Sequence, residues 1–331
     1  MDHVRLGNTG LRVSRLCLGT MTFGLQTDEK TSFAIMDRAA EAGITFFDTA
    51  DAYPLGGGFD HAGGTEEIVG RWLKGKRDDF ILATKCFIPM GPRPFQGGNS
   101  RRHIMNAVEA SLRRLGTDYI DLYQLHGVDP NTPIDETLEA LDALVKAGKV
   151  LYVGCSNHLA YQVARAIGRS EALRIAKFVS VQPRYNLLFR EIERELIPLC
   201  VEDGLGVIPY NPIAGGMLSG KHDRTKAPEA GTRFGLQNLA GNMYRQRYWQ
   251  DHLFDTVDAL GAIAKEAGLE LPTLAVAWVL AQPGITAPII GASRPDQLDA
   301  TTKALEVTLE PDLLARLDEL TREFRRGDSP R

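Results

Sequence analysis

The chain alternates short apolar runs with longer segments in which apolar residues recur every three or four positions. Runs rich in β-branched, aliphatic and aromatic residues are typical of buried parallel strands, and the longer periods are typical of amphipathic helices. The apolar runs predict eight such strands, over residues 16–19, 44–47, 80–85, 119–126, 150–156, 178–182, 206–210 and 285–290. Before them, two alternating segments flank Asn8-Thr9-Gly10, which predicts an N-terminal β-hairpin.

Helices are predicted in the intervals between these strands. Asp28 and Ser100 are placed as N-caps, and Pro133 and Pro311 as first-turn residues. The predicted helices cover residues 28–42, 66–73, 100–115, 133–147, 159–169, 190–202, 253–267, 274–281, 296–305 and 311–324. The stretch from about 211 to 250 is rich in Gly, Asn and Arg, and its length predicts a functional covering loop.

Eight alternations of strand and helix predict one α/β domain over residues 1–331, a (β/α)8 TIM barrel with an N-terminal hairpin and an extra C-terminal helix. An open doubly wound sheet is the competing fold. It normally carries a G-x-G-x-x-G turn after an early strand, and the glycines between Gly56 and Gly64 lack that spacing. The barrel is therefore favoured.

Composition narrows the possible partners. The 331 residues carry a formal net charge of -4, which provides no basic field for nucleic acid, and no apolar stretch has the length of a membrane span. The four cysteines form no C-x-x-C and lie in apolar runs, as reduced core thiols do, so neither a disulfide framework nor a metal site is expected. We expect a cytoplasmic protein, either a monomer or a weak homo-oligomer.

Chemically active side chains follow the predicted strands at the end where a barrel forms its active site. Asp48 ends the second barrel strand and is followed by Tyr53, Lys85 ends the third, and His126 ends the fourth. Singly, each of these residues is more often structural than catalytic. The later strands end in polar or aromatic residues: Ser156, Asn157, Gln182, Tyr210 and the run 291–294.

The four residues together predict carbonyl reduction. Asp48 would stabilise the buried Lys85 ammonium, and the ammonium would lower the pKa of the Tyr53 phenol. Tyr53 could then protonate an oxygen that gains negative charge, while His126 donates a second hydrogen bond. Since no side chain supplies a hydride, a nicotinamide cofactor is required. Ser156, Asn157 and Gln182 could hold its carboxamide and Tyr210 could stack on its ring.

Several motifs resemble the aldo-keto reductase superfamily, including its bacterial members, along nearly the whole chain. They are FDTADAY (47–53), ATKC (83–86), DLYQLH (121–126), GCSNH (154–158), VQPRYNLL (181–188), IPYNPIAGGMLSGK (208–221) and IIGASRPDQL (289–298). The resemblance implies a catalytic tetrad of Asp48, Tyr53, Lys85 and His126, with NADPH extended across the barrel mouth. It also implies cofactor contacts at Asn211, Pro212, Gly216, Leu218, Lys221, Gly291, Ser293, Arg294 and Gln297.

Three functions remain open at this stage. The first is NADPH-dependent reduction of an aldehyde, ketone or sugar to an alcohol; the second is reduction of the alkene of an enone or unsaturated sugar; the third is a non-catalytic NADPH-binding sensor subunit. Where many members of the superfamily carry Glu-Asn to hold adenine, this chain has Ala300 and Thr301 after Asp299. Six loop aromatics are candidates for the wall of a substrate pocket: Phe59, Phe87, Phe95, Phe234, Tyr244 and Trp249.

Overall fold

A computed structural model describes residues 1–325; the last six residues of the predicted single domain lie outside the described part of the chain. Strands β1 (His3–Arg5) and β2 (Arg12–Ser14) form the predicted antiparallel hairpin, with Val4 opposite Val13. Its turn is held by the Leu6 N–H, which donates to the Leu11 carbonyl over 2.9 Å. The hairpin buries Leu6 and Val13 against the inside of the main sheet, so it closes one end of it.

The main sheet contains eight parallel strands in the predicted order. They are β3 (Cys17–Gly19), β4 (Phe46–Asp48), β5 (Ile81–Cys86), β6 (Ile120–Leu125), β7 (Val150–Ser156), β8 (Ser180–Gln182), β9 (Gly206–Val207) and β10 (Ile289–Ile290). Neighbours in the chain are neighbours in the sheet, and β10 pairs with β3. Between the last strands, the Thr286 N–H donates to the Val207 carbonyl and the Ile289 N–H to the Pro209 carbonyl, each over 2.8 Å. These bonds close the ring, and the predicted barrel fold is confirmed.

Eleven α-helices lie among residues 1–325. They are α1 (Glu29–Glu41), α2 (Gly64–Leu73), α3 (Arg101–Leu115), α4 (Ile134–Lys146), α5 (Ala160–Leu173), α6 (Leu196–Asp203), α7 (Leu239–Tyr248), α8 (Asp251–Glu266), α9 (Leu271–Ala281), α10 (Gln297–Thr302) and α11 (Pro311–Thr321). As predicted, Asp28 and Ser100 cap α1 and α3 by accepting from the N–H groups of Thr31 and His103. The extra C-terminal helix is α11.

Alternation along the strands divides the core into two layers. Phe46, Ala83 and Leu122 face the barrel interior, whereas Phe47, Leu82 and Tyr123 pack in the layer between the strands and the helices. Because side chains alternate along a strand, the residues two positions further on again face the interior. For β4, β5 and β6 those residues are Asp48, Lys85 and Gln124, which brings polar groups to one end of the barrel.

Several predicted elements are shorter in the structure; the strand expected over 285–290, for example, is Ile289–Ile290. Two other differences have a structural cause. The helix expected over 190–202 begins only at Leu196, after a short 3-10 turn. Arg190 is instead buried, and its guanidinium binds Glu193, Asp318 and the Thr321 hydroxyl. These contacts hold the preceding chain against α11, so the helix cannot start at Arg190.

The second difference is α7, which lies inside the segment predicted as a loop. Ala240, Tyr244 and Tyr248 are its buried residues at four-residue spacing, and Asn238 caps it by accepting from the Gly241 N–H. Its Gly, Asn and Arg content conceals this periodicity in the sequence. We call residues 211–250 the covering segment.

Candidate active site

The four proposed catalytic side chains meet at the C-terminal end of the strands. Asp48 is the last residue of β4, Lys85 lies near the end of β5, and His126 follows β6 directly. Tyr53 comes from the loop after β4, where its carbonyl accepts from the N–H groups at the start of α2. The sequence thus placed these residues at strand ends, and the barrel brings them together.

Asp48 and Lys85 form a buried ion pair. Lys85 Nζ lies 2.5 Å from Asp48 Oδ2, and the two side chains are 0% and 4% exposed. The ammonium also donates to the Thr49 carbonyl over 2.8 Å. The other carboxylate oxygen accepts from Gln182 Nε2 over 2.8 Å and from Gln124 Nε2 over 3.2 Å. A buried pair is tolerated when such additional hydrogen bonds satisfy it, and here they also fix its position.

Tyr53 and His126 flank this pair. The Lys85 ammonium lies 5.0 Å from the centroid of the Tyr53 ring. The Tyr53 and His126 rings meet edge to face with centroids 5.6 Å apart. Both side chains pack beside the buried ammonium of Lys85. The phenol, the imidazole and the ammonium therefore lie close together.

The electrostatics of Tyr53 differ from the sequence-based expectation. Burial, followed by the negative charge of Asp48, raises the pKa of the Tyr53 phenol well above its ordinary value, although Arg233 opposes the shift. The expected lowering by Lys85 is therefore wrong for this state of the protein, because loss of solvation outweighs a cation 5.0 Å from the ring. The phenol keeps its proton at neutral pH, as a proton donor must.

His126 is neutral in this environment. Burial, and then the positive charge of Lys85, lowers the pKa of the imidazole well below its ordinary value. Its Nδ1 atom is buried and has no hydrogen-bond partner among the described residues. A neutral imidazole beside a protonated phenol can offer a hydrogen bond without adding a second cation next to Lys85.

The residues proposed to hold a carboxamide form one connected network beside the tetrad. Asn157 donates from Nδ2 to the His126 carbonyl over 2.9 Å and to Ser156 Oγ over 3.0 Å. Its Oδ1 accepts from the Tyr210 hydroxyl over 2.8 Å. Ser156 Oγ donates to the Gln182 carbonyl over 2.8 Å. Gln182 uses its amide nitrogen on Asp48, so any further contact would use its oxygen.

The next predicted cofactor residues lie at the start of the covering segment. Asn211 is buried in a left-handed backbone conformation, and its Nδ2 has no partner among the described residues. Gly216 also has a positive φ, 107°, which suits glycine. Pro212 and Leu218 are buried, and because Leu218 packs in the core only its backbone is available to a ligand. Lys221 is exposed.

A third group follows β10. Gln297 Oε1 accepts from the Ser293 N–H over 2.8 Å and from the Ser293 hydroxyl over 3.1 Å, which shapes the turn after Gly291. Arg294 is exposed and lies 3.3 Å from Asp296 Oδ1, a surface pair that an anionic ligand can replace. Thr301, at the divergent adenine position, is buried and bonded to the Leu298 carbonyl.

Gln124 and Arg233 are additional site residues that the sequence interpretation missed. Gln124 lies two residues before His126 on β6, so strand alternation could have identified it. Arg233 lies in the covering segment: its Nη1 donates to the Tyr244 hydroxyl over 3.1 Å and contacts Asn211 Oδ1 at 3.3 Å. Both Arg233 and Tyr244 act electrostatically on Tyr53. No local pattern marks Arg233, because only the fold brings it to the mouth.

Five of the six candidate pocket aromatics divide into two groups. Phe59 and Phe95 are 50% and 42% exposed, while Phe234, Tyr244 and Trp249 pack together within the covering segment. Phe87 lies at the end of β5 with a left-handed φ of 147°. The covering segment is thus held by its own aromatic cluster.

Three further observations concern the described residues alone. None of their helices has the length and apolarity needed to cross a membrane. No set of three or more His, Cys, Asp or Glu side chains among residues 1–325 is arranged to hold a metal ion. The four cysteines, Cys17, Cys86, Cys155 and Cys200, are buried and free, as expected.

Comparison with known proteins agrees with this architecture. A model of the aldo/keto reductase family matches residues 15–322. The chain is 42% identical over 328 residues to the uncharacterized oxidoreductase YrpG of Bacillus subtilis, covering 97% of this chain and 96% of that protein. It is 35% identical over 327 residues to a probable voltage-gated potassium channel subunit beta of Arabidopsis thaliana, with 97% and 96% covered. It is 36% identical over 320 residues to the aldo-keto reductase YhdN of Bacillus subtilis, with 94% and 91% covered. The chain, with its closed barrel and this cluster at the strand ends, belongs to the aldo/keto reductase family of oxidoreductases.

Proposed function

We propose that this protein is an NADPH-dependent reductase that converts the carbonyl group of an aldehyde or ketone to an alcohol. The observation that carries the proposal is the buried Asp48–Lys85 pair with the Tyr53 ring 5.0 Å from the ammonium and His126 against the same ring. The site thus offers a protonated acid, a neutral hydrogen-bond donor and a fixed cation close together. This combination can stabilise a substrate oxygen that gains negative charge.

In this proposal Tyr53 gives the proton of its hydroxyl to the substrate oxygen. The phenolate that remains lies beside the Lys85 ammonium, whose charge compensates it. Asp48 keeps that ammonium charged in a site with no solvent, and Gln124 and Gln182 hold Asp48. His126 orients the substrate oxygen by donating from its ring N–H. The proposed acid is thus regenerated only after a proton returns to Tyr53.

The cofactor, when bound, supplies the hydride to the carbonyl carbon. The residues present suit NADPH: Asn211 has a buried amide nitrogen without a partner, and Arg233 has no ion pair within the described part of the chain. We propose that Ser156, Asn157, Gln182 and Tyr210 hold the nicotinamide, that the start of the covering segment and Arg233 hold the phosphates, and that Gly291, Ser293, Arg294 and Gln297 hold the adenosine end.

The decisive test removes only the hydroxyl of Tyr53. Tyr53→Phe keeps the ring contacts with Lys85 and His126, so the protein should fold and bind NADPH. Single-turnover reduction of 4-nitrobenzaldehyde should fall by about 10² to 10⁴, the contribution of a positioned acid. The same fluorescence titration of NADPH for both proteins serves as the control. A rate near that of the unchanged protein, with normal cofactor binding, would exclude Tyr53 as the acid.

A sensor function is the second candidate, because two relatives are named as probable voltage-gated potassium channel subunits beta. A sensor would bind NADPH with comparable affinity but turn over simple aldehydes only slowly. Steady-state turnover of 4-nitrobenzaldehyde under excess NADPH separates the two functions. Product analysis with an enone would reveal whether the carbonyl or the alkene is reduced.

A further inference from the structure

A cavity of about 450 Å³ lies on the outer side of the strands, between the beginnings of α4 and α5. Leu125, at the end of β6, lines it, and this side chain belongs to the layer between the strands and the helices. None of the four proposed catalytic residues lines this cavity. A volume of this size accommodates a small organic molecule, and the proposed carbonyl chemistry makes no use of it.

One face of α5 forms a side of the cavity. Tyr161 and Arg165 are four residues apart on this helix and therefore share a face, and both line the cavity. Arg169, four residues further along the same face, binds both oxygens of Asp135 in the first turn of α4, over 2.8 and 2.6 Å. This pair joins the two helices beside the cavity, so Tyr161 and Arg165 lie on the face of α5 that is turned toward the start of α4.

Arg165 provides a cation that no acidic side chain neutralises. It is exposed and forms no ion pair with any residue between 1 and 325. Its charge acts on Asp135, but both oxygens of that carboxylate already accept from Arg169. Asp129 also lines the cavity, and its oxygens accept three hydrogen bonds from the loops around it. The guanidinium of Arg165 is therefore available to an anionic group of a ligand.

His158 provides a hydrogen-bond acceptor on the cavity wall. Its Nδ1 lies 2.8 Å from the Ser156 carbonyl oxygen, and because a carbonyl oxygen only accepts, Nδ1 carries a proton. Burial lowers the pKa of the imidazole, although the bond to Ser156 opposes the shift, so the ring is neutral at pH 7. Nε2 then has a free lone pair. It has no partner between residues 1 and 325 and is open to solvent, on a ring that lines the cavity.

The remaining lining residues determine the shape of a suitable ligand. Val128, Pro133 and Ile134 contribute apolar surface, and Tyr161, 63% exposed, offers the flat face of its ring. A mainly apolar cavity with a few polar groups is typical of small-molecule sites. A complementary ligand has a flat apolar body, a hydroxyl or N–H donor for the imidazole, and an anionic group for the guanidinium.

We propose that this cavity binds a small aromatic acid that carries a hydroxyl group. The hydroxyl donates to His158 Nε2, the ring packs against Tyr161 and Ile134, and the carboxylate pairs with Arg165. The site lies behind the strands, so a ligand in it leaves the barrel mouth free for the cofactor and the carbonyl substrate. Binding at this site does not depend on the proposed reaction.

Calorimetric titration with NADPH present tests the site with matched compounds. For the unchanged protein at neutral pH, 4-hydroxybenzoate should bind at one site and about 10-fold more tightly than 4-methoxybenzoate, which has the same ring and charge but no donor. 4-Hydroxybenzyl alcohol, which lacks the charge, should also bind about 10-fold more weakly. Equal affinities for the three compounds would overturn the inference.

Substitutions of the two polar residues locate the ligand. Arg165→Gln should weaken 4-hydroxybenzoate binding by about 10-fold and leave 4-hydroxybenzyl alcohol unchanged, while Arg165→Lys retains the charge and most of the affinity. His158→Asn keeps a donor near the position of Nδ1 but removes Nε2, so it should abolish the preference for hydroxyl over methoxy. Arg113→Gln, an exposed arginine in the last turn of α3, controls for net charge. Equal 4-hydroxybenzoate affinity in Arg165→Gln and Arg113→Gln would refute the site.

Competition kinetics separate this cavity from the proposed active site. Added 4-hydroxybenzoate should not raise the KM for 4-nitrobenzaldehyde in NADPH-dependent reduction. If the acid competes with the aldehyde, it binds in the barrel mouth, the cavity proposal fails and the carbonyl reductase proposal stands. If the acid binds as expected in the calorimeter but no aldehyde is reduced, the carbonyl reductase proposal fails and the cavity proposal stands.

Discussion

Single residues in this barrel show how burial controls the charge on a side chain. Lys85 lies fully buried against Asp48, while Tyr53 and His126 are pushed toward their neutral forms by the same lack of solvent. The cluster therefore combines a fixed pair of charges with two neutral donors. Asp51, which lies in the same loop, adds a third kind of group, a buried carboxyl that interacts with Glu66.

The replacement Asp51→Asn should stabilise the protein increasingly as pH rises. Burial, and then the charge of Glu66, raises the pKa of Asp51 well above its ordinary value. Above about pH 4 the unfolded chain loses this proton while the folded chain keeps it, so the folded chain binds more protons and stability falls with pH. The amide of the variant has no proton to lose. The free energy of unfolding of Asp51→Asn, relative to that of the unchanged protein, should therefore rise by up to about 1.4 kcal/mol per pH unit as pH increases.

Urea denaturation at pH 5 and pH 7 measures this advantage. Asp60→Asn, an exposed aspartate in the same loop, is the matched control and should show no such trend. A constant difference between Asp51→Asn and the unchanged protein at both pH values would mean that Asp51 is ionised in the folded state.

Arg294 should select NADPH over NADH. Arg294→Ala removes a guanidinium that is exposed and only loosely paired with Asp296, so the fold should not suffer. We expect NADPH binding to weaken by about 1.5–3 kcal/mol, the value of a hydrogen bond to a charged group, with NADH binding nearly unchanged. Fluorescence titration with both nucleotides checks this. Asp296→Asn, which removes the competing carboxylate, should bind NADPH at least as well; equal losses for both nucleotides in Arg294→Ala would refute the assignment.

At the scale of elements, hydrogen bonds attach the covering segment to the barrel mouth. Asn238 both caps α7 and donates from Nδ2 to the Gly56 carbonyl over 3.3 Å, next to the loop that carries Tyr53. Arg245 binds the carbonyls of Phe234 and Leu236. Arg233 and Tyr244 meet Asn211 at the centre. The segment thus joins the proposed cofactor residues to the loop of the proposed acid.

Asn238→Ala should loosen this segment without unfolding the barrel. Loss of an N-cap costs about 1 kcal/mol, and here it also removes the contact with Gly56. We expect faster amide hydrogen exchange in α7 and weaker NADPH binding. Asp28→Ala removes the cap of α1 and is the matched control, because it should cost similar stability while leaving NADPH affinity unchanged. Unaltered exchange in α7 of the Asn238→Ala protein would show that the cap is not what holds it.

At the scale of the whole molecule, several buried groups make folding depend on pH. Burial lowers the pKa of four histidines: His103, His126, His158 and His222. Below about pH 6.5 these histidines bind protons in the unfolded chain but stay neutral in the folded chain, so the free energy of unfolding falls as pH falls. The raised pKa of Asp51 changes the free energy of unfolding in the opposite direction over the same pH range, and it offsets the effect of one of the four histidines.

The free energy of unfolding should therefore decline between pH 6.5 and pH 5. The replacement His126→Gln keeps a polar side chain but removes one titration, so the decline should be shallower by up to about 1.4 kcal/mol per pH unit. Urea denaturation at half-unit intervals measures both slopes. His61→Gln, an exposed histidine, should leave the slope as it is, and an unchanged slope in His126→Gln would mean that His126 is protonated in the folded state.

Local patterns in the sequence determined the barrel and most of its mouth. Apolar runs alternating with helical periods predicted every strand of the ring, because strand and helix periodicity depend on near neighbours in the chain. Their positions at the C-terminal ends of predicted strands likewise placed Asp48, Lys85 and His126 at one end of the barrel. The hairpin followed from Asn8 and Gly10, and helix starts from Asp28 and Ser100.

The tertiary structure alone decided what depends on burial and on contacts between distant segments. The helix-poor composition of α7 concealed its periodicity in the sequence. Nothing in the sequence indicated that the charge of Arg233 would act on Tyr53. The sequence also gave the wrong direction for the pKa shift of Tyr53. The strand ends indicate that Lys85 lies near the phenol, and its ammonium is 5.0 Å from the ring, but they do not reveal that the phenol loses contact with solvent.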